Sequence, residues 1–328
     1  NYNGENYIEP QGIQVVDMSS PMNPTLVNEW DGVVQSHNIM EADGYLYVIG
    51  SSQNSANNGQ VIAWGIDDLI ILDLANPANP TKIGGWSGEY IHDVCIYGNT
   101  LYGAAIYSDR MYVFDISDKT NPFVITYWDG IPNSHACWVS DDGNTLFSAS
   151  ETSSGHIISW DVSDINNVNF LDEWYPDGAE EWSVHNVFYK NGYLIASYYA
   201  WGLQIIDVRD PQNMVAAGFY DTFNSAPAEL YSGSWGAFPY FSSNLMIASD
   251  RTNGLFVIDF LVDFWANPLL LGDLNGDQVL DILDILIYVH HIVYDTNLSE
   301  YQLDVSDINH DGQVNLFDIM EIIYIILN

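Results

Sequence analysis

The chain has 328 residues and a formal net charge of −38, because 44 aspartates and glutamates stand against 6 lysines and arginines. This acidity excludes a basic surface for nucleic acid and disfavours an anionic membrane as a partner. Disorder is excluded because 48% of the residues are hydrophobic, and no apolar run reaches the roughly 18 residues that a membrane span requires.

Two features bear on the compartment of the protein. The sequence begins at Asn1 without a methionine, which we interpret as the start of a processed, exported product. Two cysteines, Cys95 and Cys137, are too few for a disulfide scaffold, and we expect free or buried thiols. The first feature favours an extracellular protein, either secreted or held at a cell surface.

From residue 11 to residue 272, a short apolar strand that ends in aspartate recurs. Its six copies end at Asp17, Asp73, Asp115, Asp161, Asp207 and Asp259. After each of the first five copies, an asparagine follows six residues later and an aromatic residue follows thirteen residues later. We predict that the aspartate is structural, because its carboxylate can accept backbone N–H groups of the turn that follows the strand.

A second element lies between these strands and opens with a histidine in four copies, at His37, His92, His135 and His185. The fifth copy has Trp235 in the corresponding place. Each copy continues into a turn with glycine or asparagine and then into another apolar strand, which is the pattern of a β-hairpin.

The spacing of these elements predicts a mainly β fold. Successive strand aspartates are 42 to 56 residues apart, and each interval holds four short strands without helical periodicity. Four-stranded units at this period are typical of a β-propeller. We predict five blades, with six possible because the aspartate strand has a sixth copy. The surplus strand pair at 11–31 is expected to close the ring within the chain, and addition to a neighbouring subunit is the alternative.

The repeat also resembles a known family. The strand ending in aspartate, the Asn-Pro turn and the His-Asn or His-Asp opening before Gly-Tyr-Leu-Tyr are similar to the LVIVD-repeat β-propellers over about residues 11–272. This resemblance implies a secreted or surface propeller, often without known catalysis. We place the propeller at residues 1–265 and a second, small all-α module at residues 266–328.

Two acidic loops dominate the C-terminal module, which has no lysine or arginine after Pro268. Each loop places residues suited to metal binding at positions 1, 3, 5, 7, 9 and 12. The first set is Asp273, Asn275, Asp277, Val279, Asp281 and Asp284, and the second is Asp307, Asn309, Asp311, Gln313, Asn315 and Asp318. Oxygen ligands at these spacings, with a backbone carbonyl at position 7, suit Ca²⁺. We therefore predict two EF-hand-like calcium loops, each holding one ion and followed by a helix.

The paired loops resemble the type I dockerin domain over about residues 271–328, which implies a calcium-dependent docking module. Gln278 departs from the glycine expected at loop position 6. Positions 10 and 11, where dockerins often carry polar residues that recognise the partner, are apolar in both loops. We expect these four residues to form the docking surface: Ile282, Leu283, Leu316 and Phe317. The expected partner is another copy of the chain or a cohesin-like domain.

Side chains on the propeller are weaker candidates for chemistry. At equivalent positions of the blades, the four histidines would form a ring near the channel, which could bind Zn²⁺ or Cu²⁺. Hydrogen bonds between blades are the alternative role for them. A glycosidase would need two carboxylates, and the candidates are Glu89, Glu151, Glu180 and Glu181. No Ser-His-Asp spacing, phosphate loop or Cys-x-x-Cys motif is present.

Two functional hypotheses follow. The first is a non-enzymatic extracellular structural or interaction protein, whose calcium module mediates assembly with a partner or with further copies into a filament or layer. The second is a carbohydrate-binding protein or a glycoside-active enzyme of a cellulosome-like system, favoured by the 11 tryptophans and 22 tyrosines.

Overall fold

In the computed structural model the chain divides into two units, residues 1–258 and 259–328. The structure describes residues 12–33, 36–51, 68–223, 229–241, 245–259, 271–275, 280–294, 298, 300–309 and 313–327.

The first unit consists of antiparallel strands that follow one another in chain order. A two-stranded sheet comes first, with β1 (Ile13–Asp17) and β2 (Thr25–Trp30). Blade 1 contains β3 (Asn38–Ala42), β4 (Tyr45–Ile49), β5 (Leu69–Asp73) and β6 (Thr81–Trp86). Blade 2 contains β7 (Asp93–Tyr97), β8 (Thr100–Ala105), β9 (Arg110–Asp115) and β10 (Phe123–Asp129). Blade 3 contains β11 (Ser134–Val139), β12 (Thr145–Ser150), β13 (Ile157–Asp161) and β14 (Asn169–Trp174). Blade 4 contains β15 (Val187–Lys190), β16 (Tyr193–Ser197), β17 (Leu203–Asp207) and β18 (Val215–Tyr220). Blade 5 contains β19 (Ser234–Phe238), β20 (Leu245–Asp250) and β21 (Gly254–Asp259).

These sheets form a five-bladed β-propeller, which confirms the predicted fold. The first strands of neighbouring blades contact one another, from β3 through β7, β11 and β15 to β19, so they form the inner wall of the propeller. Apolar side chains fill the space between blade faces. Tyr47 and Phe114 share a core between blades 1 and 2, and Phe147 and Leu194 share one between blades 3 and 4.

The surplus strand pair, which we expected to close the ring within the chain, forms a two-stranded sheet against blade 1. Among the described residues, β1 and β2 pair only with each other. They pack through Ile13 and Trp30 against Val48, Ile70 and Leu72 of blade 1.

Two-residue hairpin turns join the first and second strands in blades 1 and 4. Asp43 and Gly44 have φ angles of 53° and 80°, and Asn191 and Gly192 have φ angles of 50° and 81°. Consecutive positive φ values define the turn type whose twist matches that of paired strands, and Asp-Gly and Asn-Gly adopt it most easily. These turns set the register that directs the histidine end of each first strand toward the inner wall.

The repeated aspartate at the strand end is structural, as predicted. Its Oδ1 atom accepts the backbone N–H two residues later, at 2.6 Å from Ala75 to Asp73 and at 3.0 Å from Ser163 to Asp161. The Ser163 hydroxyl also donates to Asp161 at 2.6 Å, and these bonds lower the pKa of the Asp161 carboxyl. The carboxylate therefore closes the turn into the last strand of the blade.

Replacing Asp161 with alanine should lower the free energy of unfolding of the propeller by about 1–2 kcal/mol, because the Ser163 N–H and hydroxyl lose their acceptor. Asp161→Asn is the matched control, because its amide oxygen can still accept these hydrogen bonds. Its free energy of unfolding should therefore fall by less than that of Asp161→Ala. Urea unfolding of both variants measures the difference. Equal losses would show that the turn does not depend on this acceptor.

The two cysteines are buried free thiols, as expected, with their Sγ atoms 2.9 Å apart. Cys95 lies on β7 and Cys137 on β11, so the pair joins the inner strands of blades 2 and 3. Burial raises the pKa of the Cys95 thiol, and its contact with Cys137 raises it further. The thiols therefore act as core side chains between two blades.

The second unit contains α1 (Ile282–Tyr294), α2 (Glu300–Ser306) and α3 (Leu316–Leu327). Leu274, Val305 and Ile322 are buried in its core around Tyr288. The Tyr288 hydroxyl donates to the backbone carbonyl of Ser306 at 2.8 Å, which links α1 to the end of α2. Among the described residues, no helix has the length and apolar character to cross a membrane.

Candidate functional site

The last carboxylate of each predicted calcium loop folds back onto its own loop. Asp284 accepts a hydrogen bond from the backbone N–H of Asn275 at 3.2 Å. Asp318 accepts from the backbone N–H groups of Ile308 at 2.9 Å and Asn315 at 2.8 Å. Both carboxylates are fully buried. Position 12 therefore closes each loop, which is the arrangement that lets it reach an ion held by the earlier positions.

Loop position 9 begins the following helix. The Oδ1 atom of Asp281 accepts from the backbone N–H of Leu283 at 2.7 Å, and that of Asn315 accepts from Phe317 at 2.8 Å. A side-chain acceptor at this place is a helix N-cap. Each loop is thus joined rigidly to its helix.

The residues of these loops fit calcium. Asp273, Asp284 and Asp318 are almost completely buried, and no lysine or arginine follows Pro268. Carboxylate, amide and carbonyl oxygens are the donors that Ca²⁺ prefers. The described loop segments also hold Asn275, Asp307, Asn309 and Gln313, whereas Asp277, Val279 and Asp311 lie outside the described residues.

The four residues predicted to form the docking surface are exposed. Ile282 is 61% exposed, Leu283 50%, Leu316 63% and Phe317 64%. They occupy positions 10 and 11 of each loop, at the starts of α1 and α3. Exposed apolar residues at duplicated positions form a surface suited to contact with a protein.

On the propeller, the structure brings the four predicted histidines together. Ring centroids are 3.8 Å apart for His37 and His92, 4.3 Å for His92 and His135, and 4.4 Å for His135 and His185. The Trp235 ring continues the series at 4.1 Å from His185. These five residues, here called the histidine ring, come from the inner strands of five consecutive blades or the residues just before them.

Glu151 belongs to the same cluster, although the sequence suggested it only as a separate catalytic candidate. Its Oε2 atom lies 3.3 Å from Nε2 of His135. The Tyr199 hydroxyl donates a short hydrogen bond to its Oε1 atom. Burial raises the pKa of the Glu151 carboxyl, while the Tyr199 hydrogen bond and the charge of Arg251 act in the opposite direction.

The imidazoles of the histidine ring are neutral over a wide pH range. Burial lowers the pKa of His92 to about 4 and that of His185 to about 3. Burial also lowers the pKa of His135 well below its usual range, and the neighbouring imidazoles add to the effect. Neutral imidazoles in contact are available as metal ligands.

Asp93 joins three blades, and the sequence did not single it out. It follows His92 in blade 2, and its two carboxylate oxygens accept from Nδ2 of Asn38 in blade 1 at 2.9 Å and Nδ2 of Asn186 in blade 4 at 3.2 Å. Burial raises the pKa of the Asp93 carboxyl to about 7, and the hydrogen bonds partly oppose this rise. One sequence signal could have identified it. The residue after the histidine is Asn, Asp, Ala and Asn in the four copies, so Asp93 is the one acid at this position.

The other acidic candidates lie in separate contacts. Glu89 accepts from the Tyr112 hydroxyl and lies 3.7 Å from the Arg110 guanidinium. Glu180 and Glu181 contribute backbone carbonyls, which accept from His156 and Ser153 at 3.3 Å. None of these contacts pairs two of the candidate carboxylates.

An aromatic cavity of about 840 Å³ opens near blade 4. Its lining includes Trp174, Tyr175, Trp182, Trp201, Asp177 and Asp221. Flat aromatic faces beside carboxylates can stack on and hydrogen-bond to a polyhydroxylated ligand.

Solved structures of remote sequence have a similar fold. A protein from Lactobacillus plantarum is 12% identical with a TM-score of 0.59, covering 79% of this chain and 77% of that chain. The periplasmic gluconolactonase of Pseudomonas aeruginosa is 10% identical with a TM-score of 0.57, covering 76% and 79%. At such identities the likeness shows the fold alone.

Sequence comparison adds local matches. An uncharacterized protein of Archaeoglobus fulgidus is 31% identical over 107 residues, which is 29% of this chain, and the chain spans only 17% of that protein. Family models match the LVIVD repeat at residues 61–86, 88–129 and 186–222, and the dockerin type I domain at residues 271–327. The chain therefore carries LVIVD repeats in a five-bladed propeller, followed by a type I dockerin domain.

Proposed function

We propose that this protein is an extracellular, non-enzymatic interaction protein whose dockerin domain attaches the propeller to a cohesin-like partner. The observation that carries the proposal is the exposure of Ile282, Leu283, Leu316 and Phe317 at matching positions of the two loops. Bound calcium would hold the loops closed. The loop residues then orient the two helix starts that present these side chains.

The chemistry of this surface indicates the kind of partner. Because the four side chains carry no charge, we expect an apolar contact whose affinity depends little on salt. The absence of lysine and arginine after Pro268 also means that an acidic partner surface would be repelled. The partner should therefore present an apolar patch with a neutral or basic rim.

We propose two calcium ions, one in each loop. Support comes from the duplicated burial of Asp284 and Asp318 and from the backbone hydrogen bonds that each accepts within its own loop. A second copy of the chain is the alternative partner, and assembly into a filament or layer would follow from it.

Replacing both Leu283 and Phe317 with serine should weaken binding to a type I cohesin domain by about tenfold or more, because buried apolar anchors dominate such interfaces. Val293→Ser is the matched control, since Val293 is exposed on the same helix away from the loops. Calorimetry with the full chain in calcium gives both the affinity and, by calcium titration, the integrity of the loops.

Three outcomes would contradict this proposal. They are no binding of the cohesin domain, unchanged affinity in the double variant, and chelator-sensitive polymers of the protein alone in sedimentation, which would favour self-assembly.

The aromatic cavity favours a second candidate function, glycan binding. Cleavage of a polysaccharide by the wild-type protein would establish the enzymatic alternative instead.

A further inference from the structure

A second set of side chains, on the propeller, has the composition of a transition-metal site. His135, Glu151 and His185 each offer a ligand atom, and these atoms all lie within 4.8 Å of one another. Nε2 of His135 and Oε2 of Glu151 are 3.3 Å apart. Two ligands of one tetrahedral zinc ion lie about 3.4 Å apart, given metal–ligand distances of about 2.0–2.2 Å.

Outer contacts hold two of these side chains in the orientation that a ligand needs. Nδ1 of His185 lies 2.5 Å from the backbone carbonyl of Trp235, so Nδ1 carries the proton and Nε2 is left as the electron-pair donor. The Tyr199 hydroxyl donates to Oε1 of Glu151, which leaves Oε2 toward His135. Metal-binding histidines and carboxylates are commonly oriented by such second partners.

Tyr199 has an unusual backbone for this task. Its φ angle is 39°, in the left-handed region that bulky side chains rarely adopt. Its N–H and C=O groups both bond to Ser234 of blade 5, which secures this conformation. An outlier at a residue that orients a buried carboxylate is typical of a functional site.

Unpartnered polar atoms are concentrated around the same place. Among the described residues, the buried side-chain atoms without a hydrogen-bond partner are His92 Nδ1, Trp128 Nε1, Ser134 Oγ, His135 Nδ1, Ser150 Oγ, Ser197 Oγ and Ser234 Oγ. All except Trp128 lie at this site. His92 and His135 belong to the histidine ring, and Ser134, Ser150 and Ser234 are the sequence neighbours of His135, Glu151 and Trp235. The backbone carbonyl of Ser197 accepts from the backbone N–H of His185. Buried polar atoms are rarely left unpaired, and bound ions or water are the usual partners.

A competing set shares one residue with the first. His37, His92 and His135 also offer ligand atoms within 4.8 Å. His37, however, is exposed, and the set contains no carboxylate to balance the charge of a divalent ion. The first set is therefore better built to hold an ion.

We propose that His135, Glu151 and His185 bind one divalent transition-metal ion, of which zinc is the best match to two imidazoles and a carboxylate. Three protein ligands leave a fourth position for water or a small ligand, which is the arrangement of open zinc sites. This site is independent of calcium, because calcium selects oxygen donors.

The test uses Co²⁺ as the probe, added to the full chain with calcium in excess so that the dockerin loops are occupied. We expect one Co²⁺ per chain and the strong visible absorption of a low-coordinate cobalt site, which oxygen-rich calcium loops do not produce. Glu151→Gln and His185→Gln should each weaken binding by at least about tenfold. His156→Gln is the matched control, since His156 pairs with Glu173 at 2.7 Å and, among the described residues, no third ligand-bearing side chain joins them.

A measurement on the wild-type protein keeps the test valid if a variant fails to fold. X-ray absorption of the zinc-loaded chain counts the bound imidazoles, and we expect two. Three imidazoles, with binding lost in His37→Gln and retained in Glu151→Gln, would overturn the proposal in favour of the competing set. The absence of stoichiometric Co²⁺ and Zn²⁺ binding to the wild-type chain would overturn it altogether.

Discussion

Replacing Asp318 with alanine should unfold the C-terminal unit even in abundant calcium. The Asp318 carboxylate is fully buried and accepts backbone N–H groups from Ile308, Asn309 and Asn315 at 2.9, 3.4 and 2.8 Å. Alanine leaves these donors without an acceptor and removes a predicted calcium ligand. The expected cost is about 3–5 kcal/mol, which matches the whole stability that a single core of this size supplies.

Circular dichroism of the full chain measures this result, since the described helices all lie in the second unit. We expect a loss of the helical signal in Asp318→Ala, and the same loss in the wild-type chain when a chelator is added. Glu321→Ala is the control, because Glu321 is an exposed acid on the same helix. A normal helical signal and unfolding transition in Asp318→Ala would show that the carboxylate does not hold the unit together.

Replacing Asp93 with asparagine should stabilise the propeller at alkaline pH and have little effect near pH 4. Because burial raises the pKa of Asp93 to about 7, the folded protein holds a proton there that the unfolded chain releases near pH 4. Between these values the wild-type stability falls as pH rises. Above pH 7 the wild-type protein has lost about 4 kcal/mol of its free energy of unfolding in this way. The asparagine variant does not ionise at this position and therefore keeps that stability.

Asparagine can also keep the contacts of Asp93. Its amide oxygen can accept from Nδ2 of Asn38, and its amide nitrogen can donate to Asn186 if that side chain turns over. Denaturant unfolding of both proteins at pH 4 and pH 8 isolates the effect, since the histidines are common to both. Asp93→Ala is the control for lost contacts and should be less stable than Asp93→Asn at both values. Equal stability of wild type and Asp93→Asn at pH 8 would contradict a buried, destabilised charge.

Local spacing predicted most of the fold. The aspartate at the end of each third strand and the asparagine six residues later define a turn, so the positions of blades 1 to 4 could be read from residues such as Asp115 and Asn121. The calcium loops were equally visible, because their chemistry depends on ligands that are close in sequence. The docking surface followed from the same spacing and remains a prediction about binding.

The parts that could not be predicted depend on contacts between distant residues. Glu151 follows β12, and nothing in its neighbourhood indicates that it approaches His135 across a hairpin or that Tyr199 of the next blade orients it. Asp93 contacts Asn186, 93 residues away. The strand pair β1 and β2 repeats the aspartate motif, so the sequence did not show that it packs on blade 1 as a separate sheet.

Blade 5 has three strands among the described residues, and the exposure of its last one bears on how the propeller opens. Leu255 and Val257 on β21 are 66% and 65% exposed, whereas the aspartate strands of blades 1 to 4 are almost entirely buried. Local opening costs least where few apolar contacts are lost. Transient fluctuations should therefore begin at blade 5 and leave blades 2 and 3, joined by the buried thiols, as the last cooperative unit to separate.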